Sequence, residues 1–219
     1  MKLQLYAHPF SSYCQKVLIA LYEYDLPFEW KLLSMDDPAT GAEFAALWPI
    51  RRMPVLVDDG ETVLESSTIV EHLGRRCTSP ASLIPPDPKT ALEARTMDRI
   101  FDNYVMTPMQ KVVADRIRAA DVRDPYGVNE AKALLERAYA WLDEKLAGRA
   151  WAAGDGFTIA DCAGAPSLFY ADWVHPIAER YATVRAYRSR VLARPSVARA
   201  VDEARPYRKI FPGGAPERD

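Results

Sequence analysis

The chain has 219 residues, of which 49% are hydrophobic and 26% charged, and its net charge is -2. That length can bury the core of one or two domains, and the near-neutral balance argues against nucleic acid or an anionic membrane as partner. No apolar run approaches the roughly 18 residues that span a bilayer, and the alternating start Met1-Lys2-Leu3-Gln4-Leu5 reads as a strand rather than a signal peptide, so a cytoplasmic location is expected.

Lys2 to Tyr6 forms the first expected strand. Cys14, Val17, Leu18 and Leu21 recur at i, i+3, i+4 and i+7 and mark one apolar helix face. Phe28 to Leu33, after the Asp25-Leu26-Pro27 break, is the second strand, so the opening is β-α-β. Val55-Leu56-Val57 and Thr62-Val63-Leu64 flank Asp58-Asp59-Gly60, a hairpin signal because the turn needs positive φ. Ser66 then stands where it can cap a helix carrying Ile69, Val70 and Leu73. The order expected to Arg76 is β-α-β-(α)-β-β-α.

Ser79 to Pro88 contains four prolines and reads as a linker. Helical periodicity follows, with helices expected at about 89–118, 128–147, 158–172, 182–193 and 196–204. Thr158 and Asp161 have the spacing of a capping box, with Phe157 and Cys162 at the staple positions. The tail from Pro206 is expected to lack regular structure, with Tyr207 and Phe211 as anchors on the domain. The fold class is therefore an α/β unit followed by an all-α unit, with residues 1–78, a linker over 79–88 and residues 89–219.

The three cysteines, Cys14, Cys77 and Cys162, are scattered and odd in number. They make no disulfide framework and fit a reducing compartment. His8, His72 and His175 lack ligand spacing, so no metal is expected. Three short segments carry the candidate chemistry. Ser11 and Ser12 stand at a strand-to-helix junction, where a hydroxyl, exposed amides and the helix dipole can stabilise a thiolate; simple helix caps are the plain alternative. Met53-Pro54 opens a strand, where a cis proline would let Met53 offer its N–H and C=O to an extended peptide. Arg51 and Arg52 precede it and can meet a carboxylate. Glu65-Ser66 sets a carboxylate and a hydroxyl at another helix start, suited to an α-ammonium and an α-carboxylate.

These segments, in this order, resemble the cytosolic glutathione S-transferases over nearly the whole chain. The resemblance implies a thioredoxin-like β-α-β-α-β-β-α domain followed by a helical bundle, with glutathione as co-substrate. Leu5-Tyr6-Ala7-His8-Pro9-Phe10-Ser11-Ser12 is similar to the serine-type pattern, with Ser11 as activating residue and Phe10 and Ser12 beside the tripeptide. The family's cis-proline matches Pro54, its backbone contact Met53, its glutamate-serine pair Glu65 and Ser66, and its basic residue Arg52. Thr158 to Asp161 matches the family's capping box. Ser11-Ser12-Tyr13-Cys14 carries serine where a redox motif has its first cysteine, so dithiol exchange is not expected, and Cys14 on the apolar face reads as an inert buried thiol. Trp48-Pro49-Ile50-Arg51 replaces the usual Asn-Pro-x-Gly. Tyr6 is the alternative activating hydroxyl; its place inside the strand argues for Ser11 instead, and Ser12 stays open.

The resemblance implies a homodimeric glutathione transferase acting on a small apolar electrophile. A glutathione-dependent isomerase like maleylacetoacetate isomerase, a dehalogenase and a non-catalytic binding protein are the alternatives. Phe10, Tyr104, Met109, Tyr170 and Trp173 are candidate walls for the second substrate.

Overall fold

The computed structural model describes residues 2–77 and 82–219. Strands β1 (Leu3–Ala7), β2 (Glu29–Leu32), β3 (Val55–Asp58) and β4 (Glu61–Leu64) form one sheet in the order β2-β1-β3-β4. β1 and β2 run parallel, and the other two pairs are antiparallel. Helix α1 (Ser12–Glu23) makes the β1–β2 crossover, and α2 (Pro38–Leu47) follows β2. Asp59 and Gly60 have φ of 46° and 93°, so both central turn residues adopt the positive φ that the Asp-Gly signal anticipates. After β4 comes α3 (Ser66–Arg76). This is the thioredoxin-like half.

The helical half contains α4 (Pro88–Ile100), α5 (Thr107–Ile117), α6 (Pro125–Lys145), α7 (Ile159–Val174), α8 (Ala182–Leu192) and α9 (Pro195–Ala204). Residues 79–81 of the expected linker lie outside the described residues, and its last proline, Pro88, is the first residue of α4 under an Asp87 cap. The helix expected over 89–118 is α4 and α5 joined by a π-helical turn, Phe101–Met106. Its cause is legible: Pro108 has no N–H to give the Tyr104 carbonyl, so the ladder widens there. The Thr107 amide and hydroxyl both donate to the Asp102 carbonyl, the hydroxyl at 2.9 Å.

Helix α1 is buried almost all round, because it packs against α3, α7 and α9 and shares one core with Leu3, Leu5, Ala7 and Leu56 of the sheet. The expected apolar face, Cys14, Val17, Leu18 and Leu21, is fully buried. Helix α7 is buried along its whole length. Gly164 within it lets Tyr187 and Phe101 approach so closely that a Cβ there would sit 2.7 Å from the Tyr187 hydroxyl. The capping box forms at its start: the Asp161 carboxylate accepts from the Thr158 amide at 2.9 Å. The same carboxylate accepts from the Ala152 amide at 2.9 Å and the Tyr187 hydroxyl at 2.7 Å.

The tail departs from expectation. Arg205–Ile210 is a 3-10 helix, and it holds because Asp219 pairs with Arg205 and Arg208. Tyr207 and Phe211 are its anchors, as expected: the Tyr207 ring sits 4.5 Å from His8, and Phe211 is buried 5.0 Å from Trp173. No helix among the described residues is long and apolar enough to cross a membrane.

Candidate functional site

Ser11 precedes α1 in extended backbone, and its Oγ accepts from the Cys14 amide at 3.5 Å. At that length the cap bond is weak. Ser12 is the first residue of the helix, buried, and accepts from Gln110 Nε2 at 3.5 Å. No acidic residue stands in the first turn of α1, so its positive end is not offset locally.

The Met53–Pro54 peptide bond is cis. Met53 lies ahead of the ladder, whose first β3 pairings are made by Val55. Arg51 and Arg52 are exposed, and neither side chain has a hydrogen bond or ion pair among the described residues. Arg51 has φ of 56°, in the left-handed region that favours glycine.

Ser66 is the first residue of α3 and not its cap, contrary to expectation; Glu65 holds the cap position and makes no side-chain cap bond. Glu65 has φ of 68° and ψ of 122°, a combination outside the helical and strand regions. Such backbone costs about 1–3 kcal/mol and is characteristic of ligand clamps. The first turn of α3 also lacks an acid, so this helix too presents bare amides.

The three segments meet. Phe10, Ser11, Ser12, Arg52, Met53, Pro54, Glu65 and Ser66 all line one cavity of about 680 Å³ between the sheet domain and the helices. Its far wall is apolar, made by Met109, Val113 and Ile117 of α5 together with Ile210, Phe211 and Pro212 of the tail. Of the expected second-substrate residues, Phe10, Met109 and Tyr170 line it. Tyr104, in the π turn, is half exposed and outside it. Trp173 sits behind Phe211 instead.

Tyr6 is elsewhere. It projects from the opposite face of the sheet into a small cluster with Phe44, Val55 and Val57, and donates to Glu43 Oε2 at 2.9 Å. Burial, and then the Glu43 carboxylate, push its hydroxyl up to about 12. That group does not reach the cavity.

Sequence reasoning missed the wall supplied by Tyr13, Arg99, Asp102 and Gln110. Behind it lies a charged knot. Lys16 Nζ is 2.8 Å from Asp102 Oδ2, 2.5 Å from Asp98 Oδ1 and 2.7 Å from Ser67 Oγ. Arg99 pairs with both aspartates. Burial raises the Asp102 carboxyl above its ordinary range, with Lys16 opposing. Asp102 Oδ1 is buried with no hydrogen-bond partner among the described residues. The signal was present: Asp98 and Asp102 stand four apart within an apolar helical pattern. Among the described residues no group of three or more His, Cys, Asp or Glu is arranged to hold a metal ion.

Comparison with known proteins bears on the family and the fold. Residues 5–80 match the family description "Glutathione S-transferase, N-terminal domain" and residues 108–195 "Glutathione S-transferase, C-terminal domain". Glutathione S-transferase hmp2 of Hypomyces subiculosus is 26% identical over 94% of this chain and 100% of its own. A glutathione S-transferase-like protein from a Fusarium species is 33% identical, the match spanning 59% of each chain. A glutathione S-transferase crystal structure from Methylobacterium radiotolerans, in complex with glutathione sulfonate, superposes with a TM-score of 0.79 at 30% identity, covering 92% of this chain and 95% of that one. The chain belongs to the glutathione S-transferase family.

Proposed function

We propose that the cavity binds glutathione and that the chain transfers its sulfur to an electrophilic carbon of a small apolar second substrate. The observation that carries this reading is that two helix N-termini, Ser11-Ser12 of α1 and Glu65-Ser66 of α3, open on one cavity with no acid in either first turn. Each is suited to an anion: the thiolate at α1, the γ-glutamyl α-carboxylate at α3. Glu65 takes the α-ammonium, Met53 pairs with the cysteinyl backbone, and Arg52 takes the glycyl carboxylate.

Ser11 acts as a serine-type activating residue. Its hydroxyl donates to sulfur, the thiol proton leaves to solvent, and the thiolate attacks carbon. The bond to Ser11 is stronger with the anion than with the thiol, so it lowers the barrier as well as the thiol pKa. The reading brings with it a homodimer in the cytoplasm and a division into a glutathione-binding unit over 1–78 and a helical unit over 89–219.

Calorimetric titration with glutathione, followed by conjugation of an activated chloroarene, tests the proposal. Binding with conjugate formation supports it; binding without turnover of chloroarene, dihaloalkane or cis-enone favours the non-catalytic alternative. A cis-enone isomerised without consuming glutathione makes the chain an isomerase. A monomer by sedimentation at micromolar concentration removes the dimer.

A further inference from the structure

Arg51 is surplus to the tripeptide. Glutathione carries two carboxylates, and the glutathione reading, on which this inference rests, assigns one to Arg52 and the other to Ser66 with the α3 amides. Arg51 nevertheless lines the same cavity, and its guanidinium has no hydrogen bond or ion pair among the described residues. The other arginine of the lining with acids beside it, Arg99, is committed to Asp98 and Asp102. Fold stability does not explain Arg51 either. Its amide closes a turn on the Trp48 carbonyl at 2.8 Å with φ at 56°, a conformation glycine adopts freely and a residue with a Cβ does not. A strained backbone that carries an unpaired cation into a cavity points to a ligand.

The far wall of the cavity says what that ligand is. Met109, Val113, Ile117, Ile210 and Phe211 offer contact and no charge there, and the charged groups of the near wall, Arg99 and Asp102, are already paired with Asp98 and Lys16. We propose that Arg51 makes the second-substrate site selective for an acidic electrophile: an apolar body bearing a carboxylate or similar planar anion. The guanidinium fork matches such a group in two parallel hydrogen bonds, and the apolar far wall takes the body of the molecule. In the reaction with an aryl chloride the thiolate sulfur supplies the pair for the new carbon–sulfur bond. The carbon–chlorine bond breaks with its pair going to chloride, and the arginine holds the acid without entering either step.

The test uses 4-chloro-3-nitrobenzoate and its methyl ester, together with their glutathione conjugates, on the wild type, Arg51→Gly and Arg51→Lys. Glycine suits the backbone, so Arg51→Gly should fold. The ratio of kcat/KM for acid over ester should fall about tenfold or more in Arg51→Gly and recover in part in Arg51→Lys. The calorimetric affinity of the acid conjugate should fall by the same factor relative to the ester conjugate, a readout that needs no turnover. An unchanged ratio overturns the assignment. So does an equal loss of affinity for S-methylglutathione, which would put Arg51 on the tripeptide. A wild type that binds neither conjugate nor S-methylglutathione removes the glutathione reading, and the assignment with it.

Discussion

Lys16 Nζ lies 2.8 Å from Asp102 Oδ2 with none of the lysine side chain exposed. This contact joins the helix that follows Ser11 to the π turn that walls the cavity, so it ties the Ser11 end of the cavity to the helical half. Taking these charges out of water is costly, and the knot persists because Asp98, Ser67 and Arg99 complete it.

Replacing Lys16 by methionine should therefore destabilise the fold by about 3–5 kcal/mol, since two buried carboxylates lose their cation. Chemical denaturation measures this. A loss under about 1 kcal/mol would mean that water or Arg99 already neutralises the knot.

Tyr6→Phe should keep wild-type kinetics. Its hydroxyl serves Glu43 on the far face of the sheet and holds its proton up to about 12. A large fall in kcat for this variant would transfer the activating role to Tyr6.

Ser66→Ala should weaken glutathione binding about tenfold or more, because a hydrogen bond to a charged group contributes about 1.5–3 kcal/mol. The change should appear in Kd by calorimetry and in KM, with a smaller effect on kcat. Loss of kcat at constant Kd would put Ser66 at the reacting sulfur instead.

Cys14 should be inert. Burial pushes its thiol up to about 11, against the helping bond from Ser11. An unfolded thiol titrates near 8.5, so between these values the unfolded chain has released a proton that the native chain keeps. Stability from this group is thus present below about pH 8.5 and is lost as pH rises towards 11. Cys14→Ala should show a shallower alkaline fall in stability than the wild type. Rapid alkylation of native Cys14 at neutral pH would contradict the burial argument.

Local chemistry made much of this legible in the sequence. Asp59-Gly60 fixed the hairpin, Thr158 and Asp161 the start of α7, and proline and serine positions marked the cavity segments. The rest depended on tertiary context. Lys16 and Gln15 occupy positions that periodicity assigns to solvent, yet α7 and α4 cover them, with Gln15 donating to the Tyr170 hydroxyl at 3.0 Å. Tyr104, a candidate for the second-substrate wall by its aromatic chemistry, is half exposed in the π turn, and nothing in its residue type separates the two places. The order of the tail comes from ion pairs to Asp219 rather than from its own residue pattern, so the sequence there looks irregular.

The most direct test of thiolate stabilisation by Ser11 is ultraviolet difference spectroscopy of glutathione titrated into the protein across pH, with Ser11→Ala alongside. The account predicts a thiolate band near neutral pH in the wild type, and in the variant a band displaced to higher pH with kcat lowered about tenfold to a hundredfold. Identical thiolate titrations in the two proteins would contradict it.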